Sequence, residues 1–250
     1  MLLYELSDIH LEHYRDVTAA IKFLEQIRPV ETADVLVLAG DIWSLQDETC
    51  LLYLDEFRKW AIEIVYVPGN HEWYGTSPKV NGKEMLDKLS NEGLRVLGPN
   101  YYKSFTYEGM RFVGTTCWYP DNAVVRKKLM NWSDVAYIRG FMKWWENFWI
   151  EEREHLCMNI NEGDIVVSHM LPVWECISEQ FQADSYNCLY VANVADIIQE
   201  LKPAIWFHGH SHDKQDFMFG DTRIIRNPIG YPRELKMIAP QDVKILEITL

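Results

Sequence analysis

Five short stretches of this 250-residue chain set metal-competent side chains side by side: Asp8-Ile-His10, Gly40-Asp41, Gly69-Asn70-His71-Glu72, Ser168-His169 and Gly209-His210-Ser-His212. The donors are carboxylate, amide oxygen and imidazole. That mixture suits Mn, Fe, Co or Zn, whereas a calcium site is built from oxygen alone. In an extended chain residues i and i+2 point the same way, so Asp8 and His10 can grip one ion together, as can one arm each from His210 and His212. Seven candidate ligands, Asp8, His10, Asp41, Asn70, His169, His210 and His212, are too many for one ion with an open position. Two ions sharing one carboxylate fit better, and such a pair lowers the pKa of a shared water and neutralises phosphoryl oxygens. A hydroxide formed on such a pair would be suited to in-line attack on phosphorus.

Each stretch needs an element that brings it to a common place, and each follows an apolar, β-rich run. Those runs are 1–6, 34–39, 62–67, 164–168 and 204–208, with further runs at 110–116, 222–226 and 243–249. Ligands in open α/β sheets bind beyond the carboxyl ends of the strands. Amphipathic helical patterns lie near 16–28 and 50–60, and strand–helix alternation argues for layered α/β structure with buried parallel strands. The second half is richer in strands, which points to a second sheet. The expected fold is a single domain spanning 1–250, a four-layer α-β-β-α sandwich with two mixed sheets and the metal site at the carboxyl ends of the strands. Residues 141–156 carry Phe141, Trp144, Trp145, Phe148 and Trp149 at helical spacing, read as a core-facing stripe in preference to a dimer face or a base-stacking platform. His155 is expected on the solvated face of that helix, His208 inside a buried strand, and His13 either lining the cleft or exposed.

Composition narrows the partners. With 37 acidic and 24 basic residues the formal net charge is -13, and no run rich in Lys or Arg offsets it, so broad nucleic-acid binding is not expected. A small anionic substrate held by metal ions is compatible with this charge, because bound ions dominate the local field. The five cysteines are odd in number and form no C-x-x-C pair, which reads as reduced thiols. The N-terminus lacks a signal-peptide pattern and no run approaches membrane-spanning length, so a cytoplasmic protein without membrane contact is expected. Oligomeric state leaves no mark in the sequence.

Taken singly each motif is weak; the five in this order resemble the calcineurin-like metallophosphoesterase superfamily, across residues 8–212. The flanking text "LSDIHLE", "ADVLVLAGDI", "VYVPGNHEWYG", "PAIWFHGHSHD" and "NPIGYP" is similar to a single-domain microbial branch of it. The resemblance implies that Asp8, His10 and His212 hold one ion, that Asn70, His169 and His210 hold a second, and that Asp41 bridges them. It implies two divalent transition-metal ions, Mn foremost, with Fe, Zn, Co and Ni as alternatives. His71 is implied as the catalytic residue, facing the phosphoryl group and assisting the leaving oxygen, while Glu72 braces its loop through backbone hydrogen bonds. The implied activity is hydrolysis of a small phosphate ester, a phosphodiester (a nucleotide among them) in preference to a monoester. A non-catalytic scaffold is the competing class, but such relatives typically lose ligands or the catalytic His, and all are intact here.

Two departures from the superfamily pattern matter. Position 44 is Ser where many relatives carry an Asp that helps to orient the catalytic His, which leaves open what orients His71. The Arg-Gly pair of protein phosphatases is absent, which disfavours phosphoprotein substrates. Substrate contacts are expected from Trp73, Tyr74 and Trp118 and from the long connection 170–190, whose aromatics have packing of the rim as their alternative, and from Arg139 and Arg226, each Arg having a structural ion pair as its alternative.

Overall fold

The computed structural model describes residues 1–79 and 81–250. Side-chain alternation in the first strands decides the layering. In β1 (Leu2–Leu6), Leu3 is buried on one face and Tyr4 and Leu6 on the other. β2 (Ala33–Leu38) divides in the same way, Val35 and Val37 against Leu36 and Leu38, and in β3 (Ala61–Tyr66) Val65 opposes Ile64 and Tyr66. A strand apolar on both faces must be covered on both.

The elements alternate as expected in the first half: α1 (Val17–Ile27) follows β1, α2 (Thr49–Phe57) follows β2, and α3 (Asn81–Asn91) follows β3. After β4 (Arg95–Val96) come β5 (Phe105–Tyr107), β6 (Met110–Gly114), α4 (Ala123–Leu129), α5 (Ser133–Tyr137) and α6 (Phe141–Asn159). The chain then runs through β7 (Ile165–Val167), α7 (Ala195–Leu201), β8 (Ile205–Phe207), β9 (Gln215–Phe219), β10 (Thr222–Arg226) and β11 (Leu246–Thr249). One sheet has the order β11-β1-β2-β3-β4, parallel except for β11; the other has the order β5-β6-β7-β8-β10-β9, parallel except for β5 and β9. Antiparallel strands at the edges make both sheets mixed.

The two sheets face each other through Leu3, Val35, Val37 and Val65 on one side and Phe112, Ile165, Val167, Phe207 and Ile225 on the other. Each such fully buried aliphatic or aromatic side chain stabilises the fold by roughly 1.5–3 kcal/mol. On the outer faces, Leu36 and Leu38 pack with Phe23 and Leu24 of α1 and Leu54 and Phe57 of α2, while Val166 and Trp206 share a cluster with Leu156 of α6 and Ile197 of α7. Helices thus cover both outer faces, giving the four layers. Among the described residues no helix is long and apolar enough to cross a membrane.

α6 buries Phe141, Trp144 and Trp145, with Phe148 and Trp149 half-buried, so its aromatic stripe is core. His155 corrects the sequence expectation: it is only 3% exposed, and burial pushes its imidazole down to about 4. The reason is helical phase. His155 lies seven residues after Phe148 and three after the buried Glu152, on the inward stripe.

Loop hydrogen bonds then gather the strand ends. Asp8 N donates to Gly40 O (3.0 Å), His10 N to Asp41 O (3.0 Å) and Gly209 N to His169 O (3.0 Å). The segment after β10 returns to the same edge, with Gly230 N donating to Asp8 O at 2.8 Å.

Candidate metal centre

Parallel β1, β2 and β3 deliver Asp8 and His10, Asp41, and Asn70 and His71 to one edge; β7 and β8 of the facing sheet deliver His169, His210 and His212 to the same edge. Three groups of donors form there: His10, Glu12, His13 and His71 make one, and the other two hold the Asp and His candidate ligands. Donor atoms of Asp8, His10 and His212 lie within 4.8 Å of one another, and so do those of Asp41, His169 and His210. Asp41 stands between the groups, with Oδ2 3.8 Å from His10 Nε2 and Oδ1 3.4 Å from His169 Nε2. Asn70 Oδ1 joins the second group, 3.1 Å from both His169 Nε2 and His210 Nδ1.

The donor chemistry fits divalent ions. His10 Nε2 and His212 Nε2 are 3.2 Å apart, while Nδ1 of each lies against a carboxylate, Glu12 at 3.1 Å and Glu234 at 2.7 Å. When both rings are neutral and give their Nδ1–H to those carboxylates, they meet lone pair to lone pair at Nε2, a contact relieved by a bound cation or by a proton on one ring. A donor spacing of about 3 Å is also the edge of a coordination polyhedron with metal–ligand bonds of roughly 2.0–2.2 Å.

The field in the cleft demands positive charge at both groups. Burial works against protonating His169, yet the Asp41 carboxylate outweighs it and raises the imidazole to about 10. Burial also opposes His212, which its hydrogen bond and charge contact with Asp8 raise to about 9. Asp8 in turn is held at about 2 by His212 against the effect of its own burial. His210 is different: burial, reinforced by His169, lowers it to about 3, so the ring is neutral and able to ligate.

The backbone is bent to make this site. Asp8, His10, Asp41 and His210 have φ of 52°, 50°, 55° and 71°. The left-handed conformation costs roughly 1–2 kcal/mol per residue with a Cβ. Hydrogen bonds hold it: His210 N donates to Asp8 Oδ1 and Oδ2 (3.0 and 3.1 Å), and the buried Glu72 carboxylate accepts from Asp41 N (2.9 Å), Ile42 N (2.7 Å) and Gly69 N (2.7 Å). Glu72 therefore ties the loops after β2 and β3 together. Gly69 permits the approach, since a Cβ there would overlap Asp41 Oδ1 and stand 2.8 Å from His169 Cε1. Gly69→Ala is expected to weaken metal binding roughly 10–100-fold, the usual effect of displacing a ligand's support. Titration of the metal-free protein with Mn²⁺ checks this, and unchanged affinity would mean that Asp41 is not held where this packing puts it.

His71 lies beside these groups. Its N donates to Asp41 Oδ1 (2.9 Å), its ring stacks on Tyr74 with centroids 4.3 Å apart, Nδ1 is 3.3 Å from Glu12 Oε1 and Nε2 is 3.2 Å from the Tyr231 hydroxyl. The same Glu12 oxygen lies near His10 Nδ1 and, at 3.5 Å, His13 Nε2. Glu12 is therefore the carboxylate that stands at His71 Nδ1, while position 44 is Ser.

The seven candidate ligands and His71 thus converge, and of the expected substrate contacts Tyr74 lines the cleft. The 170–190 connection lines it too, whereas Trp73, Trp118, Arg226 and Arg139 correct the sequence expectation. Trp73 is buried in the core, and Trp118 is buried against Phe141 and Trp144 with its N donating to Glu152 (2.8 Å). Arg226 is buried too: Nη2 bonds Asp213 Oδ2 (2.7 Å), Nε bonds Asp213 O (2.7 Å) and Nη1 bonds Cys176 O (3.2 Å), the structural alternative that bracing the His212 loop requires. Arg139 is exposed after α5, outside the cleft lining. The 170–190 connection contributes Ile177, Phe181 and Tyr190 as expected, and Trp132, Tyr231 and Glu234 complete the lining. Glu12 and Tyr231 sit inside or beside the motif text; Trp132 and Glu234 carried no signal.

A model of the calcineurin-like phosphoesterase family matches residues 1–214. "Uncharacterized protein L509" of Acanthamoeba polyphaga mimivirus is 23% identical over 267 residues, covering 96% of this chain and 94% of that protein. The acyl-carrier-protein phosphodiesterase PptH of Mycobacterium tuberculosis is 32% identical over 92 residues, covering 36% of this chain and 27% of that relative. The crystal structure of the M. tuberculosis phosphopantetheinyl hydrolase PptH superposes with a TM-score of 0.74 at 18% identity, covering 98% of this chain and 95% of that one. A dimetal phosphatase from Danio rerio superposes at 0.53 with 13% identity, covering 90% and 86%. At these identities the structural likenesses speak to the fold.

Proposed function

The chain belongs to the calcineurin-like phosphoesterase family and is a metal-dependent phosphoric ester hydrolase, and we propose that it is a phosphodiesterase working with two divalent ions. Asp8, His10 and His212 would hold one ion and Asn70, His169 and His210 the other, with Asp41 between them; Mn²⁺ is the first choice for this mixed oxygen and imidazole set. The count of two is supported by the two groups that share Asp41 between them and by the dimetal relative. When bound, the ions lower the pKa of water and neutralise phosphoryl oxygens. His71 stands at the rim of the ligand set with Nε2 toward the cleft, where it donates a hydrogen bond to the phosphoryl group and a proton to the leaving oxygen. Glu12, at Nδ1, fixes the ring; against the effect of burial, the Asp41 charge and then Glu12 favour the protonated form that this role needs. Tyr231 holds Nε2 until substrate replaces it.

One observation carries the diester reading: the cleft runs out on both sides of His71. One arm is lined by Trp132, Ile177, Phe181 and Tyr190, the other by His13, Tyr137, Pro232 and Arg233, and both share His71, Tyr74, Ser133 and Tyr231. A diester has a substituent for each arm. Charge agrees. Among the described lining residues Arg233 is the one Lys or Arg, whereas Asp184, Asp213 and Glu234 are acidic, a lining that suits a monoanion better than a dianionic monoester. The PptH relative is itself described as a phosphodiesterase. With Mn²⁺ added, bis(4-nitrophenyl) phosphate should be hydrolysed with at least roughly 10-fold higher kcat/KM than 4-nitrophenyl phosphate, about 1.4 kcal/mol of discrimination. Equal rates, or a preference for the monoester, would overturn the diester assignment.

A further inference from the structure

Asp134 is a wholly buried carboxylate supplied by the short α5, from a part of the chain that carries none of the metal motifs. Two donors approach each of its oxygens. Oδ1 accepts from Asn70 Nδ2 and the Tyr74 hydroxyl, both at 3.0 Å, and Oδ2 from the Tyr119 hydroxyl and Trp132 Nε1, both at 3.0 Å. A buried carboxylate is costly unless it is fully hydrogen-bonded, and this one is.

The contact with Asn70 has a specific chemical consequence. An amide can present either its oxygen or its nitrogen to a given side, and the neighbours decide which. An ionised carboxylate only accepts, so the Asn70 group facing Asp134 must be the NH₂. Its second hydrogen is directed to the Tyr74 oxygen at 3.1 Å. With both hydrogens committed, Asn70 Oδ1 is left facing His169 Nε2 and His210 Nδ1. Turned over, the amide would point N–H groups at a cation.

We propose that Asp134 is the positioning residue of the second metal position: it fixes the Asn70 amide with its oxygen toward His169 and His210 and so sets the affinity of that position. The inference rests on the reading of Asn70 as a ligand. It also joins metal binding to the cleft wall, since Trp132 and Tyr74, which hang on the same carboxylate, line the substrate cleft.

Calorimetric titration of the metal-free protein with Mn²⁺ tests it, with bound ions counted after desalting. Asp134→Asn keeps the size of the side chain but lets the pair of amides adopt either orientation. The weaker of the two binding steps should lose roughly 10–100-fold in affinity, as when an outer partner of a ligand is removed, with the other step within about threefold of wild type. Asp134→Asn combined with Asn70→Asp exchanges donor and acceptor across the same contact, and removes the choice of amide orientation at position 70. It should regain two ions per chain with the weaker step within about threefold of wild type. A residue that merely stabilised the fold would lower both steps alike and would not be rescued by a change at position 70. Unchanged binding in Asp134→Asn, or no rescue in the double variant, overturns the inference. Should Asp134→Asn fail to fold, the double variant decides alone: folded with two ions supports the pairing, and anything less overturns it. Asn70→Ala separates the parent reading. If it keeps both ions, Asn70 is not a ligand; if it loses one while Asp134→Asn loses none, only the positioning role fails.

Discussion

His71→Ala should retain its metal and lose roughly 10²–10⁴-fold in kcat, the usual range for removing a positioned acid–base group. Metal retention is expected because His71, grouped with His10, Glu12 and His13, lies outside the two groups assigned to the ions, and because the contact that supports Asp41 from this residue comes from its backbone N, which alanine keeps. KM should change much less than kcat, since an interaction made mainly in the transition state is lost from kcat. The deficit should grow as the leaving group becomes more basic, because a poor leaving group needs the proton and nitrophenolate hardly does. Steady-state rates on a series of aryl and alkyl esters, with bound metal measured on the same preparations, give the result. Equal losses across the series, or a loss of metal, would show that His71 is not the acid.

Asp41→Ala should bind fewer than one ion per chain under conditions that fill wild type, and activity should fall by at least about 10³-fold, because both donor groups lean on this one carboxylate. The same substitution should change the pH dependence of the metal-free fold. His169 is raised to about 10 chiefly by Asp41, against the opposing effect of burial, while its unfolded value is near 6.5. A group raised on folding contributes stability that is fully present below the unfolded value and is lost as pH rises through the folded one. Metal-free wild type should therefore lose thermal stability between about pH 6.5 and 10, with His212, raised to about 9, adding to the same slope. In Asp41→Ala the His169 share of that slope should vanish. A metal count of two in this variant, or an identical pH slope, would remove Asp41 from the centre.

Much of this was legible because the catalytic text is local. The five strand-end motifs each place ligand candidates within a few residues of a buried strand, and parallel strands carry their ends to one edge whatever the loops do. Glu72 was legible for the same reason, as a side chain beside the loop it braces. The cleft wall was not, because aromatic type says nothing about direction. Trp73 and Tyr74 are neighbours in sequence, and one turns into the core while the other stacks on His71. Arg226 ends a strand as the ligands do, yet its partner Asp213 lies thirteen residues away and turns it into a brace. Asp134 left no trace, since its meaning depends on a contact with Asn70 across 64 residues.

The left-handed backbone at Asp8, His10, Asp41 and His210 has an evolutionary consequence. At roughly 1–2 kcal/mol each, four such residues hold a sum comparable with much of the 5–15 kcal/mol by which a whole domain is stable. Glycine at these positions would sit more comfortably still, so for folding alone the favoured direction of drift leads away from the candidate ligands. Only continued selection for hydrolysis opposes that drift. In a descendant released from it, substitutions that empty the centre would also strengthen the fold, and the chemistry would erode well before the sandwich did.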